Sequence, residues 1–225
     1  MIRQEGLDAA AIEGTGEGVK STQADVERAL KAVGPEEEVK PPKVIPFTVM
    51  RKSVADNMYA SLQNTAQLTC FTEVDVTEMV RFLELVRKEY RKDESVRVSY
   101  NDIIIHVTAR VLKRFPIMNS TLVGDEILLH DSVNRGVAVA IAVGLIVPVL
   151  QGADGKGLLQ IAREVRELAR KAREGTLGVD EVTNGTFTIT NVSMFDVDGF
   201  TPILKPPETG ILGIGRIKEK PAVYE

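Results

Sequence analysis

The sequence predicts an α+β domain built on a layered mixed sheet with helices, preceded by a small helical module. Three observations carry this expectation. Strand-like and helix-like stretches come in runs that do not strictly alternate, which argues for an α+β domain with a layered sheet. The longest apolar run, Val137 to Leu150, is broken by Gly144 and Pro148 and reads as two buried strands around a tight turn. Finally, Gly34-Pro35-Glu36-Glu37-Glu38-Val39-Lys40-Pro41-Pro42 reads as an extended linker, because proline denies it regular hydrogen bonding. These features divide the chain into a module over 1–33, a linker over 34–44 and a main domain over 45–225.

In the module, the glycine-rich loop Gly14-Thr15-Gly16-Glu17-Gly18 precedes a helix that starts at Thr22, with Asp25 placed to accept free amides of the first turn. Val26, Ala29, Leu30 and Val33 give this helix one apolar face. In the main domain, Arg51 to Leu62 reads as a helix turning Val54, Ala55, Met58 and Leu62 inward. Leu68 to Val76 alternates as a strand containing Cys70, which is expected to be buried. Thr77 caps a helix through Arg91, and Asn101 to Phe115 forms a mostly apolar helix stopped by Pro116. Ile127 to Leu129 is a short strand. Leu158, Ile161, Ala162, Val165, Leu168, Ala169 and Ala172 recur at helical spacing up to Gly175. Thr186 to Thr190 and Thr209 to Ile217 complete the sheet.

Composition narrows the function classes. A hydrophobic content of 44% and a charged content of 27% suit a soluble globular core. The formal charge of -4 and the lack of a basic stripe interleaved with aromatics give no footprint for nucleic acid. No apolar run is long enough to span a bilayer, and a single cysteine fits a reducing, cytoplasmic location. Gly14 to Ser21 nearly matches a phosphate-binding loop, but Val19 replaces its second glycine and no apolar strand leads into it. Gly213-Ile214-Gly215 has too few glycines in pattern for a dinucleotide fingerprint. His106 and His130, with one distant cysteine, supply no metal-ligand cluster.

The run Gly185-Thr186-Phe187-Thr188-Ile189-Thr190-Asn191, with Phe200-Thr201-Pro202-Ile203 and Pro206-Pro207, sets a hydroxyl at a strand end before an irregular turn. Together with Asn134 to Ala140 and Gly144 to Val149, it resembles the catalytic domain of the 2-oxo acid dehydrogenase acyltransferases. The likeness runs from about Leu7 to Glu225, and the loop with Asp25 is similar to a partial peripheral subunit-binding domain of the family, with Ile2 to Gly6 as the remnant of its first helix. The resemblance implies a chloramphenicol-acetyltransferase-like fold. It also implies acyl transfer between dihydrolipoamide and coenzyme A by direct attack of a thiolate on a thioester, with no acyl-enzyme.

Under that resemblance Thr190 is the hydroxyl that steadies the oxyanion, Arg51 braces the site or faces coenzyme A, and Asn191 shapes the same pocket. Neither His106 nor His130 occupies a catalytic position of the family. Its base lies in a His-Arg-x-x-x-Asp-Gly motif that this chain does not contain, so the chain as written is expected to be inactive. The resemblance further implies homotrimers assembled into a larger core, docking of dehydrogenase and decarboxylase components, and lipoamide supplied by a domain absent from this chain. A non-catalytic scaffold paralogue and a chloramphenicol acetyltransferase relative are the alternatives.

Overall fold

The computed structural model describes residues 12–16, 18, 20, 22–32, 43–91, 97–141, 144–221 and 223. The chain divides into two compact units, Met1–Pro46 and Phe47–Glu225. In the first, helix α1 (Gln23–Ala32) follows the glycine loop and buries Val26 and Asp25. The expected linker core at 34–42 and the remnant helix Ile2 to Gly6 lie outside the described residues.

The second unit contains α2 (Val49–Asn64), α3 (Thr77–Glu89), α4 (Tyr100–Arg114) and α5 (Leu158–Glu174). Its strands are β1 (Ser120–Val123), β2 (Glu126–Leu129), β3 (Arg135–Val137), β4 (Val139–Ile141), β5 (Gly144–Ile146), β6 (Val149–Leu150), β7 (Phe187–Asn191) and β8 (Ile211–Ile214). The central sheet runs β6-β3-β7-β8, with β3-β7 and β7-β8 parallel and β3-β6 antiparallel. Parallel neighbours need a crossover, and α5 lies in the connection from β6 to β7. The expected pair of strands over 137–150 is a hairpin whose strands each break once. Its outer part forms the separate β4-β5 pair.

Helix α4 starts with a capping box, in which Asp102 accepts from the Ser99 amide at 2.7 Å and Ser99 caps the Asp102 amide. Helix α5 ends at Gly175, whose φ of 70° is costly for any residue with a Cβ. The two helices cover one side of the sheet. Ile105, Ala109, Leu112, Ile161 and Leu168 meet Val137, Leu150, Phe187 and Ile189 in a single buried cluster. A second cluster joins Leu83 of α3 to Val98, Ile103 and Ala162.

Four expectations are corrected. Leu68 to Val76 pairs with no strand among the described residues and runs extended along the surface, with Leu68 87% exposed. Cys70, expected to be buried there, is exposed for the same reason. Helix α2 does not turn its apolar stripe inward: Val54, Ala55 and Leu62 are exposed, Met58 is half-buried, and the residue fully buried is Ser61. Helix α3 is capped from Asp75, which accepts from the Thr77 amide at 2.8 Å and from its hydroxyl at 2.6 Å. Strand β1, unforeseen in the sequence, pairs in register with β2.

A buried polar chain fixes where β7 begins. The Thr186 hydroxyl donates to Asn119 Oδ1 at 2.6 Å and accepts from the Asn134 amide at 3.0 Å. Asn119 Nδ2 in turn donates to the carbonyls of His130 and Ser132 at 3.0 and 3.1 Å. Removing the Asn119 amide takes an acceptor from the buried Thr186 hydroxyl and a donor from the His130 and Ser132 carbonyls. We expect Asn119→Ala to lower unfolding free energy by about 2–4 kcal/mol in urea denaturation.

Candidate active site

Thr190 sits at the C-terminal end of the central strand β7. Two residues earlier on the same strand Thr188 is buried, whereas Thr190 is half-exposed. Its neighbours across the ladder are Gly213 of β8 and, one step past the end of β3, Ala138, whose amide donates to the Ile189 carbonyl at 3.0 Å. Both are small, so the hydroxyl is not crowded from either side. The Thr190 hydroxyl makes no hydrogen bond to any described residue, leaving its proton available.

The segment after β7 folds back over this end of the sheet. Asn191 Oδ1 accepts from the Ser193 amide at 2.8 Å, closing the turn expected from the sequence. Gly213 faces the Phe200 ring and Pro202, which would lie 3.0 and 3.4 Å from a Cβ placed there. Residues paired across a parallel ladder share a side of the sheet, so Phe200 and Pro202 wall the side onto which Thr190 projects. The segment is clamped twice. Arg216 donates to Asp198 at 2.8 Å and to Asp196 at 2.6 Å, and Lys218 adds a bond to Asp198 at 2.8 Å. The Arg216 and Lys218 bonds push the Asp198 carboxyl down to about 2. At the other end, Ser61 donates to the Leu204 carbonyl at 2.6 Å, and Gln67 both donates to Ser61 and accepts from the Leu204 amide.

Arg51 lies exposed in the first turn of α2, with no hydrogen bond or ion pair to a described residue. It is ten residues from Ser61, hence about 15 Å along the helix from the Leu204 clasp. Thr190 and Asn191 adjoin at the end of β7, whereas Arg51 forms no hydrogen bond or ion pair with either. His130 Nε2 lies 2.7 Å from the Thr121 hydroxyl. His106 is half-buried on α4, where burial first and Arg110 second hold its imidazole below the ordinary value and neutral at pH 7. Among the described residues no cluster of three or more His, Cys, Asp or Glu is placed to hold a metal ion. No helix among them is long and apolar enough to cross a membrane. The clasp by Ser61 and Gln67 escaped the sequence, because one serine and one glutamine carry no recognisable spacing.

The glycine loop forms a second, separate site. Asp25 is buried and accepts from the Thr15 and Thr22 amides, each at 2.9 Å, and from both hydroxyls. The Thr15 amide, then that of Thr22, holds the carboxyl far below the usual carboxylate range. A carboxylate collecting donors from both ends of a loop is a structural staple. It uses the amides that a phosphate would otherwise claim.

Residues 39–225 match the family model of the 2-oxoacid dehydrogenases acyltransferase (catalytic domain), and the chain belongs to that family. It is 37% identical over 230 residues to the dihydrolipoyllysine-residue acetyltransferase component of the acetoin cleaving system of Bacillus subtilis, covering 100% of this chain and 57% of the relative. It is 34% identical over 236 residues to the succinyltransferase component of the 2-oxoglutarate dehydrogenase complex of Escherichia coli K12, covering 98% and 58%. The chain thus spans somewhat over half the length of these relatives. Among solved structures, a probable dihydrolipoamide acetyltransferase from Listeria monocytogenes superposes with a TM-score of 0.79 at 35% identity, over 82% of this chain and 79% of that one. The mixed sheet with helices on one face is the fold of that catalytic core.

The Asp25 staple yields a pH prediction. A carboxyl whose folded pKa lies below its unfolded one stabilises fully above the unfolded value of about 3.9 and loses that contribution as pH falls. The Thr15 and Thr22 amide resonances should therefore keep their bonded shifts at pH 5 and lose them in acid. Asp25→Asn should abolish those shifts at every pH in the same NMR titration.

Proposed function

We propose that this chain carries the oxyanion-stabilising half of an acyl-transfer site, moving acyl groups between dihydrolipoamide and coenzyme A. The observation behind it is the unspent, half-exposed hydroxyl of Thr190, seated on a rigid strand end between two small neighbours. Attack of a thiolate on a thioester places negative charge on the former carbonyl oxygen. A hydroxyl already aimed at that oxygen stabilises it without reorganising. Phe200 and Pro202 supply an apolar wall against which such a hydrogen bond strengthens. Asn191 contributes by fixing the turn, since its side-chain oxygen is engaged with Ser193.

Membership of the acyltransferase family and names such as acetyltransferase component and succinyltransferase component support this reading. In this reading the lipoyl arm comes from another domain, and the base is a histidine of a neighbouring subunit in a trimer. The Asp25 module docks dehydrogenase or decarboxylase components. His106 and His130 take no part, the first being a half-buried residue of α4 and the second bonded to Thr121.

The test is a coenzyme A assay with dihydrolipoamide as acceptor and acetyl or succinyl thioester as donor. A general base contributes about 10²–10⁴-fold, and these 225 residues hold no His-Arg-x-x-x-Asp-Gly motif to supply one. The residual rate should climb by about tenfold per pH unit as solution thiolate replaces enzymic proton removal. Thr190→Val should cut it by a further factor on the order of 10²–10³. Equal rates for a folded Thr190→Val and the parent chain would refute the role of Thr190. Chloramphenicol accepted in place of dihydrolipoamide would refute the assignment of substrate.

A further inference from the structure

Among the described residues of the main domain, Glu208 is the one acidic side chain that is buried and left without a hydrogen bond of good geometry. It is 3% exposed, and neither carboxyl oxygen meets a donor at hydrogen-bond geometry. The Thr188 hydroxyl is also buried and also without a bond of good geometry, and it lies near enough to the Glu208 carboxyl to act on it. Two glycines let these groups approach the backbone. A Cβ on Gly185 would stand 2.9 Å from Glu208 Oε1, and one on Gly136 would stand 2.5 Å from Thr188 Oγ1. The loop that carries Glu208 is pinned by its own bonds. The Glu208 amide donates to the Lys205 carbonyl at 3.0 Å, its backbone bridges to Thr121, and the Thr209 hydroxyl donates to the Ser120 carbonyl at 2.8 Å.

The obvious counter-ion is Arg135, fully buried on β3, yet the two form no ion pair. Strand alternation explains why. Arg135 pairs with Phe187 and Leu150, which line the apolar cluster, and its guanidinium lies 4.5 Å from the Phe187 ring centroid. Gly136 pairs with Thr188 and Val149, on the other side of the sheet. The remaining charged or titratable groups toward Glu208 are Lys205 on its own loop and His130, which is bonded to Thr121. A carboxylate enclosed without an ion pair carries a large desolvation penalty, whereas the neutral acid brings its own donor.

We propose that Glu208 is held as the uncharged acid, donates its carboxyl proton in a hydrogen bond to Thr188 Oγ1, and so acts as a positioning residue for the end of β7. Thr188 precedes Thr190 by two residues and projects to the same side of the strand. Fixing Thr188 therefore fixes the backbone that aims the Thr190 hydroxyl. This last step rests on the reading of Thr190 given above, whereas the protonation state does not. Burial raises the Glu208 carboxyl above its usual value, while the Thr188 hydroxyl, then Lys205 and Arg135, act in the opposite sense.

The sign of the linkage follows. An acid whose folded pKa is raised binds its proton more tightly in the folded state, so stability falls as pH climbs from the unfolded value toward the folded one. Glu208→Gln, which imitates the neutral acid, should be at least as stable as the parent at pH 7. Its unfolding constant should lack the parent's rise of up to about tenfold per pH unit. Difference infrared spectroscopy at pH 7 should reveal a protonated-carboxyl carbonyl band in the parent that is missing from Glu208→Gln. This spectrum needs only the folded parent and one folded variant. Thr188→Val should shift that band to the frequency of a free acid. A parent without the band, or a Glu208→Gln variant that is less stable with the parent's pH slope intact, would overturn the neutral acid. If the band is present, residual acyl transfer then tests positioning. Glu208→Ala should lower kcat with KM unchanged and Glu208→Gln should restore it, whereas an unchanged kcat in Glu208→Ala would overturn the positioning role. Failure of Thr190→Val to lower the rate would remove the catalytic reading alone and leave the infrared result standing.

Discussion

The placement of β7 depends on a single hydroxyl, that of Thr186, wedged between Asn119 and Asn134. It donates to one amide side chain and accepts from the other residue's backbone, both within 3.0 Å. Those bonds bring the start of β7 against the start of β3, and the second pairing, with β8, follows from the register so set. Neither interaction is replaceable by water, because Asn119 and Thr186 are both buried. Asn134 extends the reach of the junction by accepting from the Gly152 amide and donating to the Asn184 carbonyl. A strand positioned this firmly at one end can carry an exposed side chain at the other without losing its direction.

The two sides of the central sheet are asymmetric. One is sealed by α4 and α5 through aliphatic contacts and holds Arg135 with its guanidinium over the face of the Phe187 ring. Burial draws that guanidinium down to about 9, still charged at neutral pH. The other side is lined by Gly136, Thr188 and Glu208, and toward its far end by Thr190 under Phe200 and Pro202. The Thr188 and Thr190 hydroxyls and the Glu208 carboxyl thus lie on the side opposite α4 and α5, while the helix side holds the Arg135 guanidinium. The small residues there, glycines above all, are what allow side chains and backbone to approach each other so closely.

Periodicity made the helices legible. Leu158 to Ala172 kept its apolar stripe because α5 buries that stripe within this chain. The strand at 187–191 was legible from alternation and from the residues around it. The reading failed where a pattern needs a partner that the described residues do not provide. Leu68 to Val76 alternates as a strand should, but a strand exists only when its amides find a ladder. The stripe on α2 is equally regular and equally uncovered. The Ser61 clasp and the Glu208 enclosure were invisible for the opposite reason: their meaning arises from contacts more than a hundred residues apart or across a sheet, and no local spacing encodes them.

The bare side of α2 and the run that follows it bear on how the molecule behaves in a tube. Phe47, Val49 and Leu68 give most of their surface to water, Val49 and Leu68 each at 87%. Ordered water around such groups is released whenever they touch something greasy, so warmth and sulfate will drive clumping. Low salt and cold, dilute handling, which weaken that drive, are the conditions in which isolated copies stay dispersed.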